Sequence, residues 1–453
     1  MPAGALHPPS HPPSHSPWHS PWHSHSPGPL PWQLPLAEAD PAVAACIAAE
    51  VQRQAQRLDL VASENTLSLA QREASGSVLG AITTEGYPGA RWLAASAEVD
   101  ALERLAIARA CQLFGAAHAN VQPHSGTQAN QAVYLALLAP GDCVLSMALG
   151  DGGHFSHGDA DNLSGKWFRH LHYGVRADDG LIDYDAAQRL AQQHRPRLVI
   201  AGASAYPRAI DFERLAQIAH SVGARLMADI AHVAGLVACG LFPHPFPHAD
   251  LVTTTTYKNL RGVHGGLILC NDATLAAQID AAVCPGVQGT PLLGLIAGKA
   301  VALGEALHPA FAGYQRQVLA NARALGAALQ ARGLRLVTGG TDTPFVLVDL
   351  RALGLNGRAA SARLDAIQIN ASPAPVPGDA DLAGASGLRL GVSAITSRGL
   401  REDDCRQVAE LVADLVTDNL GPPGAQRTAH AARQVRALCA RFPIDPQCAT
   451  PVA

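Results

Sequence analysis

The sequence predicts an α/β protein built on a mainly parallel central sheet, with a smaller α+β domain towards its C-terminus. Short apolar runs alternate with stretches of helical periodicity, the pattern of parallel strands joined by crossover helices. Two chemically complementary residues, Asp229 and Lys258, also fall at the ends of neighbouring apolar runs. Open parallel sheets place their sites at the carboxyl ends of strands.

Taken in order, residues 37–58 read as an amphipathic helix. In residues 100–116, Leu102, Leu105 and Ala106 repeat at three- and four-residue spacing, which predicts another helix. Residues 129–138 are helical in pattern. Val144-Leu145 and residues 198–201 read as short buried strands, 215–222 as a crossover helix, and 225–228, 250–254 and 267–269 as further strands. Past Pro291 a long helical stretch leads to a second set of strands at 334–337, 345–349 and 388–392. On this reading residues 36–60 are a helical arm, 61–290 the large domain, and 291–453 a helical linker with the small domain. Residues 1–35 are different material, a crude repeat of His, Pro, Ser and Trp without acidic residues. They are expected to be disordered, and they lack the charged start and apolar core of a secretory signal.

Composition excludes several function classes. A chain of 453 residues, 48% hydrophobic and 15% charged, describes a soluble globular protein with room for one large core and a smaller one. A net charge of −4 gives no case for binding nucleic acid or an anionic membrane. No apolar run reaches the roughly 18 residues of a membrane helix. The nine cysteines are scattered without a CxxC pair. That pattern suits free thiols in a reducing cytoplasm, and neither disulfides nor a metal site.

The chemistry concentrates in Thr253-Thr254-Thr255-Thr256-Tyr257-Lys258, which leads into the turn Arg261-Gly262-Val263-His264-Gly265-Gly266. A lysine between hydroxyl residues and glycines at the end of a buried strand is poorly placed for a salt bridge. It is well placed to form a Schiff base, because desolvation lowers its pKa and frees the amine. Taken alone, Lys258 would read as a surface residue and Asp229 as a helix N-cap. Taken together they match the needs of pyridoxal 5'-phosphate (PLP), a lysine for its aldehyde and an acid for its pyridine nitrogen. Ser125-Gly126-Thr127 before a helix adds a phosphate site, with glycine for close approach and the helix N-terminus for free N–H groups.

Five segments then carry a family resemblance: Leu60-Val61-Ala62-Ser63-Glu64-Asn65, Glu85-Gly86-Tyr87-Pro88-Gly89, Asn120-Val121-Gln122-Pro123-His124-Ser125-Gly126, Asp229-Ile230-Ala231-His232-Val233-Ala234-Gly235 and Gly387-Leu388-Arg389-Leu390-Gly391. In this order, from about Leu36 to Pro443, they resemble serine hydroxymethyltransferase, a PLP-dependent family of the aminotransferase-like fold (fold type I). The resemblance implies cleavage or formation of the Cα–Cβ bond of a β-hydroxy amino acid, with tetrahydrofolate taking up the one-carbon unit. It assigns the Schiff base to Lys258 and the cofactor phosphate to Ser125, Gly126 and Thr127, with Gly289 reaching the neighbouring subunit's phosphate. It assigns the ring to Asp229, to His154 stacked upon it, to Ser204 lining it and to His232 on its oxygen. Thr255 matches the threonine beside the lysine. Arg389, assisted by Ser63, matches the grip on the substrate carboxylate, which a guanidinium makes with two parallel hydrogen bonds. Glu85 matches the acid near the substrate hydroxyl and crosses from a partner subunit, so a homodimer or tetramer is implied.

The chain departs from the family pattern at Thr83, Trp92, Leu93, Tyr257, His264, Cys284 and Ala374. The losses fall around the family's tyrosines and folate pocket, while positions matching the PLP and carboxylate contacts remain. Each unmet hydrogen-bonding partner in a polar pocket costs about 1–3 kcal/mol, so reduced folate affinity is expected. The alternative activity is a folate-independent threonine or 3-hydroxy amino acid aldolase or transaldolase. Retention of Glu85 favours the family's own reaction, with Trp92 and Phe155 as substitute folate contacts. A catalytically silent PLP-binding paralogue is disfavoured by intact Lys258, Asp229, His154 and Arg389.

Overall fold

The computed structural model describes residues 30–379, 384–417 and 424–444. Most of the tail expected to be disordered lies outside these residues. Pro31–Gln33, also assigned to that tail, forms a 3-10 turn. The N-terminal unit runs to Glu50 and is all helix beyond that turn. The single helix expected over 37–58 is two, Leu36–Ala39 and Pro41–Gln56. The break comes at Asp40-Pro41, where proline suits a first helical turn and the Asp40 carboxylate accepts from Val43 N at 3.0 Å.

The second unit begins at Val51. Its larger sheet contains β1 (His118–Asn120), β2 (Cys143–Met147), β3 (Arg169–Tyr173), β4 (Leu198–Gly202), β5 (Arg225–Asp229), β6 (Leu251–Thr255) and β7 (Gly266–Cys270). The spatial order is β1-β7-β6-β5-β4-β2-β3. The five strands from β2 to β6 are mutually parallel, and β7 runs antiparallel between β6 and the edge strand β1. Side chains alternate between two apolar layers. Leu145, Val199, Leu226, Val252 and Leu267 face one layer. Val144, Leu198, Ile200, Met227, Leu251 and Ile268 face the other. Both faces are covered, so these strands read in sequence as unbroken apolar runs. β1 and β3 escape that signal, since His118-Ala119-Asn120 and Arg169-His170-Leu171-His172-Tyr173 are edge strands rich in polar residues.

The helices that matter to the site are α1 (Ala97–Phe114), α2 (Gly126–Leu137), α3 (Leu293–Leu307) and α4 (Pro309–Ala331). The helical stretch after Pro291 is thus two helices, parted at His308-Pro309. A smaller antiparallel sheet contains β8 (Arg335–Leu336), β9 (Phe345–Asp349), β10 (Ser372–Ala374) and β11 (Gly387–Gly391), in the order β8-β9-β11-β10. Its core takes in Val346, Leu388 and Leu390 from the sheet, Leu325 from α4, and Leu58 and Leu60 from the beginning of the chain. Leu58-Asp59 is a strand rather than helix and pairs parallel with Ile369-Asn370.

Arg398 ties this closure together. It donates to the carbonyls of Gln54, Ala55, Arg57, Cys439 and Phe442, all within 3.2 Å. Arg398→Ala would strand several of these carbonyls. The expected loss is about 3 kcal/mol of stability, read as a lower urea midpoint.

Candidate active site

The site forms where the sheet's connections diverge. From β2 the chain runs outward to β3, then returns across β2 to β4 and on to β6. The loops after β2 and β4 meet at this switch point, where Gly152 O accepts from Ser204 N at 2.7 Å and from Ala205 N at 3.0 Å. His154, Ser204, Asp229, Thr255 and Lys258, from the ends of four parallel strands, line one pocket with Ser125, Gly126 and Thr127 from the start of α2.

Each group is placed for a local reason. Ser125 caps α2 by accepting from Gln128 N at 3.1 Å. Helix geometry leaves the first-turn N–H groups of Gly126 and Thr127 without intrahelical acceptors. A Cβ at Gly126 would lie 2.6 Å from the Thr255 methyl, so only glycine lets the helix begin against the end of β6. Lys258 rides in the connection from β6 to β7 and is 6% exposed. Its carbonyl accepts from Asn65 Nδ2 at 2.9 Å and from Arg261 N at 3.0 Å. Its Nζ lies 3.1 Å from His232 Nε2.

Burial pulls the Lys258 amine down to about 8. The Asp229 charge works against that shift and the Arg389 charge adds to it. Burial alone would raise the Asp229 pKa, but the hydrogen bond and charge of His157, followed by Asn130, hold it well below the usual carboxylate range. The Asp229 Oδ2 contacts are His157 Nε2 at 3.0 Å and Asn130 Nδ2 at 2.9 Å, and Ala231 N donates to Oδ1 at 3.1 Å. Burial, then the neighbouring His157, lowers His154 to about 4, so its ring is neutral. Ser156 Oγ fixes that ring through Nδ1 at 2.8 Å. Burial likewise holds His232 well below its ordinary value.

Arg389, in the middle of β11, donates through Nη1 to Ser204 O at 2.6 Å and to Ser204 Oγ at 3.2 Å. Its buried Nε and the buried Nδ1 of His232 have no protein partner. Ser63 follows Ala62, which packs on Gly391 so closely that a Cβ there would meet Ala62 Cα at 2.4 Å. The segment 60–63 therefore runs beside the end of β11.

Glu85 and Gly289 are brought to each other and do not line the Lys258 pocket. A Cβ on Gly289 would come within 2.9 Å of Glu85 Oε1. Arg91 anchors the Glu85 segment to α1 through Asp100 at 2.8 Å and Glu103 at 2.6 Å. Gln122 joins Glu103 at 2.8 Å and accepts from Gln288 at 3.2 Å, which links the two loops.

Sequence reasoning missed three residues of the pocket. His157 was signalled only by its spacing, three residues after His154. Asn130 is a fully buried polar residue on the inward face of α2, legible as an exception to that helix's apolar pattern. Tyr257 stands out in the sequence only as a departure from the family pattern. Its ring stacks on His264 with centroids 3.8 Å apart, and it also lines the pocket.

Comparison with known proteins adds independent findings. The family model for serine hydroxymethyltransferase matches residues 36–412. The chain is 52% identical over 415 residues to the serine hydroxymethyltransferase of Acidiphilium cryptum (strain JF-5), covering 90% of this chain and 96% of that protein. It is 51% identical over 417 residues to that of Paramagnetospirillum magneticum (strain ATCC 700264 / AMB-1), covering 91% and 97%. The serine hydroxymethyltransferase of Prochlorococcus marinus (strain MIT 9303) is 51% identical over 410 residues, covering 90% and 96%.

The depressed Lys258 pKa sets a pH dependence. Protonated amine is not nucleophilic, so trapping of a small aldehyde on Lys258 of the apo-protein under cyanoborohydride should rise with pH to a midpoint near 8. The chain's lysines are Lys166, Lys258 and Lys299, so peptide mass spectrometry can follow the site directly. A midpoint above 10 would mean that burial does not activate the amine.

Proposed function

Because the chain belongs to the serine hydroxymethyltransferase family, we propose how its residues divide that family's reaction. The protein is a PLP-dependent transferase acting between serine and glycine. The observation that carries the assignment is a buried, activated Lys258 amine sharing one pocket with a buried, anionic Asp229 and the N-terminus of α2.

This donor set fits PLP. Lys258 would hold its aldehyde carbon, Asp229 its ring nitrogen, His154 one ring face, and Ser125, Gly126 and Thr127 its phosphate. Ser204 and His232 would line the ring, and Thr255 would stand beside the lysine. When bound, PLP supplies an electron sink for the bond broken at the substrate Cα. The carboxylate of Asp229, held ionised by His157 and Asn130, would favour a proton on the ring nitrogen. Arg389 and Ser63 bind the substrate carboxylate and so fix which Cα bond is presented. Arg389 is half-buried with an unpartnered Nε, which supports an anionic ligand there. Lys258 Nζ would serve as the base at Cα, with His232 Nε2 beside it at 3.1 Å. Glu85 exchanges a proton with the substrate hydroxyl.

Glu85 does not line its own chain's pocket, which supports a homodimer in which it serves the partner's site. Val78, Ile82, Trp92 and Leu93 flank Glu85, and all are exposed in the single chain, Val78 to 85%. Tetrahydrofolate is the proposed one-carbon acceptor. Phe155, exposed and edge-on to His154, offers it an apolar face beside the pocket.

The test is glycine formation from serine by the PLP-loaded enzyme, with and without tetrahydrofolate. Strong dependence on folate is expected. An equal rate without folate would overturn the assignment of the acceptor. Arg389→Lys, which loses the two-pronged grip, should raise the KM for serine at least tenfold while PLP absorbance is retained.

A further inference from the structure

Lys299 is a second buried lysine that the reaction does not use. It lies on the inward face of α3 and is 1% exposed. Its ammonium donates to the carbonyls of Val121 at 2.7 Å, Pro123 at 2.8 Å and Gly266 at 3.0 Å. Three acceptors match the three protons of an ammonium group. Among the described residues it has no salt bridge. Its path is built for it, since a Cβ at Gly265 would lie 2.0 Å from Lys299 Cε.

The three carbonyls are not scattered. Val121 and Pro123 are the last turns of backbone before Ser125, and Gly266 opens β7 beneath them. Gly266 N also donates to Pro123 O at 2.9 Å. A Cβ at Gly266 would fall 2.3 Å from Ser125 O, so the cap of α2 rests directly on this strand. Without Lys299, three inward carbonyls would be left crowded together, and the backbone entering Ser125 would lose two of its anchoring hydrogen bonds. The composition sharpens the point. Of the chain's 33 lysines and arginines, 30 are arginine, yet this place holds lysine. A planar guanidinium does not match three carbonyls converging on one nitrogen.

We propose that Lys299 is a positioning residue for anion recognition at the start of α2, setting the Ser125–Thr127 turn so that it selects the phosphate of the cofactor. The inference rests on the reading of that turn as the phosphate site. It predicts a specific loss, confined to the phosphate end of the ligand. A lysine that merely stabilised the fold would weaken all ligands alike.

The experiment measures dissociation constants of the apo-protein for PLP and for pyridoxal, which lacks the phosphate, by absorbance and fluorescence titration. The wild-type chain should prefer PLP strongly. Lys299→Met should weaken PLP at least tenfold and pyridoxal less than threefold, so that the preference collapses. Equal weakening of both ligands, or of neither, overturns the inference. Should Lys299→Met fail to fold, Lys299→Gln keeps part of the donor set and is read by the same ratio. A wild-type chain that binds both ligands equally would instead overturn the assignment of the phosphate site itself.

Discussion

A buried carboxylate that must stay charged organises this site. Removing an ion from water costs several kcal/mol unless its lone pairs are filled. Asp229 has its oxygens filled by an imidazole, a side-chain amide and a backbone N–H. Those partners come from the loop after β2, from the second turn of α2 and from the residues after β5. Meeting the needs of one anion therefore fixes the relative placement of two loops and a helix. His154 inherits its position from the same set, because Ser156 joins both its ring and Asn130.

The two buried lysines show how burial alone leaves function undetermined. Burial pulls Lys258 to about 8 and Lys299 to about 7. Their partners differ. Lys258 meets one imidazole nitrogen and lies close enough to feel the Arg389 cation, surroundings that tolerate a neutral amine. Lys299 meets three carbonyl oxygens, and only the ammonium form can satisfy all of them. Those three acceptors outweigh burial and keep Lys299 charged. One lysine is thereby a nucleophile in waiting and the other a fixed strut.

Much of this was legible in the sequence because strands covered on both faces must be continuously apolar. That rule found β2, β4, β5, β6 and β7 within a few residues. It could not find β1 or β3, where exposure at the sheet edge relaxes the requirement. Long-range closure was equally hidden. Nothing in Leu58-Asp59 announces a partner at Ile369-Asn370. Within the site, Lys258, Asp229 and the Ser125 turn declared themselves by residue type at strand ends. The roles of His154, Ser204 and Arg389 needed a family resemblance. His157 and Asn130 went unseen because they touch the carboxylate from behind, where sequence offers only a histidine among twenty and one asparagine in a helix.

The carboxamide of Asn65 has a consequence for biosynthesis. It donates to Lys258 O and to Tyr314 OH, each at 2.9 Å, and accepts from Ser397 Oγ at 2.6 Å. The mooring of the reactive lysine thus spans positions 65 to 397. Domains condense from the N-terminus as the ribosome releases them, so the large sheet can assemble while the chain is still growing. Asn65, one of the two donors to the Lys258 carbonyl, is itself braced from the far end of the chain only after Ser397 has emerged and docked. A nascent chain would therefore hold a formed sheet before the Asn65 brace on its lysine is complete.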